Sequence, residues 1–95
     1  MRIDELWWDE DNIDHLERHR IDPDEVEEVM FQDAPISARA RAQRYAVYGQ
    51  TVAGRYIVAF MEAVRIGQRR TLQVYRPVTA REMTEAERRR YQSLT

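Results

Sequence analysis

The hydrophobic pattern of this 95-residue chain changes its period after about the first third. Val26, Val29 and Met30 recur at the three- and four-residue spacing of one helix face and are surrounded by glutamates. Over residues 55–62, apolar side chains occupy both odd and even positions, as in a strand that is buried on both sides. The pattern therefore predicts helices first and a sheet afterwards, within one domain.

Three capping signals predict where the helices begin. Asp9 is a good N-cap for a helix that extends to about residue 19. Asp22 is followed by Pro23 at the first helical position and by Glu25 three residues after the cap, which predicts a helix to residue 31 or 32. Thr84 and Glu87 have the spacing of a capping box and predict a last helix towards residue 94.

Three strands are predicted between the second and third helices, over residues 44–48, 55–62 and 71–76. A loop at Ala34 and Pro35 precedes them, and turns at 50–54 and at Gly67 separate them. Pro77 lacks a backbone N–H, so we expect it to end the third strand. The fold class is then α+β, with two N-terminal helices, an antiparallel sheet of three to four strands and a C-terminal helix. The expected core includes Leu16, Val26, Val29, Ile57, Ala59, Leu72 and Val74.

The charges are divided between the two parts of the chain. Residues 1–33 contain thirteen acids and three arginines, a balance of −10, whereas residues 34–95 contain twelve arginines and four glutamates, a balance of +8. A cationic half on a small domain is suited to binding a polyanion, and the acidic half would repel phosphate. The overall charge of −2 hides this division.

All fifteen basic residues are arginine. Arginine stays charged at neutral pH and offers a planar fork of donors that matches two phosphate oxygens. Biased codon usage also explains an absence of lysine, so the evidence for phosphate binding lies in where the arginines stand rather than in their number.

Several classes of protein are disfavoured by composition. The chain has no cysteine, and His15 and His19 lack the glutamate-flanked pattern of a zinc protease, so we expect no metal and no cofactor. No stretch approaches the roughly 20 apolar residues of a membrane span, and the first residues lack the apolar run of a signal peptide. We therefore expect a cytoplasmic protein that does not bind membranes.

Several motifs together resemble the BrnT family of toxins. They are Trp8-Asp9, Arg18-His19, Arg44, Gly49-Gln50-Thr51, the run from Arg76 to Arg81, Glu87-Arg88 and Tyr91. The most specific part is the arginine at a strand end, followed by Ala80-Arg81, then Glu-Arg and Tyr. The resemblance covers nearly the whole chain, from Trp8 to Tyr91.

The resemblance implies a RelE-like fold and an RNA endonuclease that arrests translation as the toxin of a type II toxin–antitoxin pair. It also implies a cognate antitoxin of the BrnA type, which carries a ribbon-helix-helix DNA-binding domain. RNA cleavage without a metal needs a base for the 2′-hydroxyl, cations for the charge on phosphate and an acid for the leaving oxygen. The candidate catalytic residues are Arg81, Arg76, Arg44, His19 and Tyr75, and the candidate RNA-binding residues are Arg55, Arg88 and Arg89.

Each candidate also has a structural interpretation. His19 can interact with the last carbonyls of the first helix, and Tyr75 can pack under a helix. Arg76 and Arg81 can pair with the acidic helices, and a strand of regular alternation places Arg76 on the face of Leu72 and Val74. Glu87 is already explained by the capping box, and the run 88–90 by a solvated helix surface.

Two other functions compete with the nuclease. One is a module of the same fold that binds nucleic acid or protein without catalysis. The other is a transcription factor, because two short helices joined by Arg20-Ile21 look like a helix-turn-helix. The second helix carries Asp24, Glu25, Glu27 and Glu28, which is opposite to the basic surface of a recognition helix, so we expect no direct DNA binding by this chain.

Overall fold

A computed structural model describes residues 2–32, 36–64 and 72–95. The elements are β1 (Glu5–Leu6), α1 (Glu10–Arg18), α2 (Pro23–Met30), β2 (Ile36–Arg39), β3 (Tyr45–Gln50), β4 (Tyr56–Val64), β5 (Val74–Glu82) and α3 (Glu85–Leu94). The α+β class and all three helices are confirmed. The turns predicted at Ala34–Pro35 and at Gly67 lie outside the described residues. None of the described helices has the length and apolar character needed to cross a membrane.

The sheet differs from the prediction, since it is mixed and has five strands in the order β1-β5-β4-β3-β2. Strands β2 to β5 are antiparallel neighbours, and β1 pairs with β5 in parallel. The two missed strands are the edges. β1 has only two residues, and three of the four residues of β2 are exposed. Neither strand therefore has the alternation of apolar and polar residues from which a strand is predicted.

The predicted caps of the helices are confirmed. At α1, the Asp9 carboxylate accepts a bond from the Asn12 N–H (2.9 Å), and the Asn12 amide oxygen accepts from the Asp9 N–H (2.8 Å). Asn12 is fully buried and also donates to the Trp7 carbonyl. At α2, the Asp22 N–H donates to Glu25, as a capping box requires.

The sheet has two faces with different coverings. On the first face, Leu16 of α1, Val26, Val29 and Met30 of α2, and Ile21 between the two helices pack against the sheet. The sheet residues of this core are Val47, Ile57, Ala59, Met61, Tyr75 and Ala80. The second face carries the alternate residues and is partly covered by α3. Strand β4 is central in the sheet, as predicted, and has buried residues on both faces: Ile57, Ala59 and Met61 on the first and Val58 on the second.

Strand β5 differs from the prediction in where it begins and in where it ends. It begins at Val74 and continues through Pro77 to Glu82. Pro77 is tolerated because β1 covers only Val74 and Tyr75, which leaves the outer side of β5 without a partner strand at residue 77. Leu72 precedes the strand and is 49% exposed, so its placement in the core was wrong, whereas the other six predicted core residues are buried.

Helix α3 lies on the second face and makes its contacts through side chains. The Tyr91 ring meets the Tyr56 ring edge-on at 5.9 Å, and the Arg88 guanidinium lies 4.6 Å from the Tyr56 ring centre. No residue of α3 is fully buried, and Leu94 is 61% exposed. The helix is therefore a partial cover that leaves much of the second face open.

Candidate active site

A β-bulge brings the two predicted strand-end arginines to one face of the sheet. Phe60 pairs with Thr79, but the next residue, Met61, pairs with Pro77, so Val78 is the extra residue of β5. Arg76 and Arg81 are an odd number of positions apart and would face opposite sides of a regular strand. The extra residue shifts the alternation of side chains by one position, so that Arg76 and Arg81 both face the second side of the sheet.

The second face presents three consecutive cross-strand pairs of β4 and β5. They are Val58 with Arg81, Phe60 with Thr79, and Glu62 with Arg76. Residues directly opposite each other in an antiparallel pair have their side chains within contact distance. The face therefore carries an aromatic ring in its middle, with a cation on either side and a carboxylate beside one of them.

Arg76 is held by two carboxylates. Its Nε and Nη2 donate to the two oxygens of Asp9 at 2.8 and 3.2 Å, and Nη1 lies 3.7 Å from Glu62. The hydrogen bonds with Asp9 raise the pKa of Arg76 and lower the pKa of Asp9. Since Asp9 is fixed as the cap of α1, it orients the guanidinium along the edge of the face.

Arg81 is held by α3. Its Nη1 and Nη2 donate to the two oxygens of Glu87 at 2.7 and 3.1 Å, and its guanidinium lies 5.4 Å from the centre of the Phe60 ring. The same glutamate accepts a bond from the Thr84 N–H at the start of the helix. Glu87 thus serves both as the predicted capping residue and as the anchor of Arg81.

These hydrogen bonds predict how acid affects the docking of α3. Arg81 first, and then the backbone N–H of Thr84, lower the pKa of Glu87 from 4.5 to about 2. A carboxylate whose pKa is lower in the folded than in the unfolded protein stabilises the fold at any pH above its unfolded pKa. This contribution of Glu87 is lost as the pH falls from 4.5 to about 2. We expect Glu87→Gln to lower the free energy of unfolding by about 1–3 kcal/mol at pH 7. The difference in melting temperature between the two proteins should shrink as pH falls from 4.5 towards 2, and a difference that stayed constant would contradict the lowered pKa of Glu87.

Glu62 is a candidate catalytic residue that was not predicted from the sequence. It is the one carboxylate of strand β4, it is 44% exposed, and it lies beside Arg76. It also lines a concavity of about 580 Å³ that is shared with Arg39, Arg44 and Tyr45. Glu62 could have been predicted as a site residue, because it is a single acid in an otherwise apolar central strand and its charged side chain has to face solvent or a cavity.

Arg44 stands at the end of this concavity, on the turn that joins β2 to β3. It makes no ion pair with any residue in the ranges 2–32, 36–64 and 72–95. The turn is strained, because Ala42 and Gln43 have φ of 59° and 58°, in the left-handed region that disfavours side chains. The Arg44 N–H donates to the Arg41 carbonyl at 3.2 Å and closes the turn. Arg44 is therefore a cation available to a ligand, on a turn of defined geometry.

The structure does not bring His19 and Tyr75 to this face. His19 is the C-cap of α1, and its backbone N–H donates to the carbonyls of Leu16 and Glu17. Tyr75 is 8% exposed on the first face, where its ring packs edge-on against Tyr45 at 5.9 Å. Burial raises the pKa of Tyr75, so the hydroxyl is a poor proton acceptor at neutral pH.

The predicted RNA-binding arginines are distributed between two places. Arg55 is enclosed by acids, with Nη1 2.8 Å from Glu25 and Nη2 3.0 Å from Glu82, and it also donates to the Arg20 carbonyl. It therefore joins α2 to the sheet. Arg88 and Arg89 lie on α3, where Arg88 stacks on Tyr56 and Arg89 is 4.0 Å from Glu85. Both helix arginines are exposed.

The described residues contain no group of three or more histidines and carboxylates placed to hold a metal ion. The open face offers the Glu62 carboxylate beside Arg76, in a concavity that Arg44 also lines, and the Phe60 ring with the Arg81 guanidinium over it. Such a set can accept a proton, stabilise a phosphate charge and stack a base. No model of a known protein family matches the chain, and a comparison with curated proteins gave no match.

Proposed function

We propose that the chain is a metal-independent RNA endonuclease, the toxin of a type II toxin–antitoxin pair related to the BrnT family and RelE-like in fold. The observation that carries the proposal is Glu62, which stands on the open face of the sheet with Arg76 at 3.7 Å and with Arg44 lining the same concavity. The resemblance of the sequence motifs supports the same function. In that role the cytoplasmic chain would be neutralised by a cognate antitoxin of the BrnA type.

The roles of the residues follow from their chemistry. The Glu62 carboxylate accepts the proton of a ribose 2′-hydroxyl, and the 2′-oxygen attacks the adjacent phosphorus. Arg76 and Arg44 stabilise the additional negative charge that develops on the phosphate oxygens. The bond to the 5′-oxygen breaks, and that oxygen takes a proton from water. The products are a 2′,3′-cyclic phosphate and a 5′-hydroxyl.

Phe60 and Arg81 have a supporting role beside the reacting groups. An RNA base can stack on an aromatic ring or on a guanidinium plane, and single-stranded RNA is recognised in this way. Phe60 is half-buried on the open face, and Arg81 is already held over it by Glu87. A nucleotide stacked at this position would leave its phosphate near Glu62, two residues further along β4, and near Arg76, which is paired with Glu62 on β5.

A cleavage assay tests the proposal. We expect folded protein to cut a single-stranded RNA oligonucleotide in the presence of EDTA and to leave fragments with cyclic phosphate ends. The same oligonucleotide with a 2′-deoxy sugar at the cleaved position is the control, and it should bind but not be cut, since it lacks the attacking hydroxyl.

One observation favours a second function. Arg76 and Arg81 are each neutralised by a carboxylate, as expected in a module that binds without catalysis. If the folded protein bound RNA with the usual loss of affinity in salt but released no fragments, this binding module would replace the nuclease.

A further inference from the structure

The open edge of the sheet has the features of a docking site for another chain. β2 is the last strand of the sheet and pairs only with β3 among the described strands. The Ala40 N–H donates to the Arg44 carbonyl at 2.8 Å, which fixes the direction of the ladder. Because backbone groups alternate along a strand, the N–H groups of Ser37 and Arg39 point away from β3. No bond to either N–H group is found within residues 2–32, 36–64 and 72–95, so over this part of the chain they form an unpaired row at the edge.

A groove runs beside this edge, between β2 and α3. It has a volume of about 340 Å³ and is lined largely by apolar groups, including Ile36, Ala38, Tyr48, Tyr91 and Leu94. The side chains of Ile36 and Ala38 face the groove from the edge strand itself. An added strand would place every second side chain into this groove.

The charges around the groove indicate which kind of ligand it binds. Arg90 lines the groove, and Arg39 ends β2. The acid that lines it, Glu87, is already bound to Arg81 through both oxygens. The groove therefore presents apolar contacts and unbalanced positive charge, which an acidic segment complements.

We propose that the β2 edge and this groove bind an extended acidic segment of a protein partner, in which small apolar residues alternate with carboxylates. The segment adds to β2 as a sixth strand, with its apolar side chains in the groove and its acids on the opposite face, where Arg39 lies over the Tyr45 ring. RNA fits less well, because it has no peptide backbone to pair with the edge. A second copy of the chain is disfavoured by like charges at the edge, and the chain's own acidic segments are held in α1 and α2.

The site also suggests how activity is controlled, and this consequence rests on the proposed nuclease. The β2–β3 turn carries Arg44 into the candidate active site directly after the strand edge. A partner segment that continues past Arg39 would cover the entrance to the concavity and keep RNA from Glu62.

The test uses an acetylated, amidated hexapeptide of alternating valine and glutamate, titrated into the full chain and followed by amide NMR shifts. We expect shifts over 36–39 and around Tyr91 and Leu94. Ser37→Pro removes an outward N–H and should weaken binding about tenfold, while Ser37→Ala keeps the N–H and should bind as the wild type does. Replacing the glutamates of the peptide by glutamine should also weaken binding.

Several outcomes would overturn the inference. Equal affinity of the proline and alanine variants, or shifts that avoid residues 36–39, would exclude strand addition. Self-association by sedimentation that is abolished by Ser37→Pro would assign the edge to a second copy. Shifts of the same groove residues by oligouridine would assign it to RNA. Repeating the titration with Glu62→Gln, without RNA, separates the docking site from the nuclease, since peptide binding requires no cleavage.

Discussion

Glu62→Gln should lower the rate of RNA cleavage by about 10²–10⁴-fold, the usual contribution of a positioned acid–base group. Glutamine preserves the size of the side chain but cannot accept a proton at neutral pH. Because Glu62 is 44% exposed, the substitution should leave the melting temperature nearly unchanged. The measurement is a single-turnover rate at saturating RNA, which separates the chemical step from binding.

A matched control is Glu85→Gln on α3, where the carboxylate is 85% exposed and lies 4.0 Å from Arg89. It changes the net charge equally but should leave the rate intact. An active Glu62→Gln enzyme would exclude Glu62 as the base, even if the nuclease itself were verified by the wild-type protein.

Leu16→Ala should lower the free energy of unfolding by about 2–5 kcal/mol. Leu16 has no exposed surface and lies in the core between α1 and the first face of the sheet. The substitution removes buried methyl groups and leaves a cavity that the packed helices cannot fill. For a domain of this size, such a loss lowers the melting temperature by about 10 °C or more.

Leu72→Ala provides the matched control for this prediction. Leu72 is 49% exposed, so the same chemical change should alter stability by no more than about 0.5 kcal/mol. Equal losses for the two variants, measured by urea unfolding, would contradict the placement of Leu72 outside the core.

The helices could be predicted because their signals are local. Asp9, Asp22 and Thr84 begin their helices through bonds to residues only three positions away. The central position of β4 could be predicted for a similar reason. Consecutive apolar residues in a strand are expected only where both faces of the sheet are covered. The effect of Pro77 was predicted wrongly because a proline is tolerated in β5 only where β1 no longer pairs with it, and the length of β1 cannot be predicted from local sequence.

The candidate site was only partly readable from the chain. Arg76 and Arg81 were selected, but their common orientation depends on an extra residue, Val78, that no local pattern marks. Glu62 was missed because its partners, Arg76 and Arg44, come from two other strands or turns. The pairing of Arg55 with Glu25 was equally hidden, since it joins residues 30 positions apart.

The dual role of Asp9 links the start of α1 to a residue that is synthesised much later. The carboxylate that caps α1 also orients Arg76, and these two residues are 67 positions apart. At translation rates of 5–20 residues per second, Arg76 follows Asp9 by about 3–13 s. A nascent chain whose first helix has already formed therefore still lacks the arginine that this carboxylate orients, so the contact between the start of α1 and β5 can form only late in synthesis.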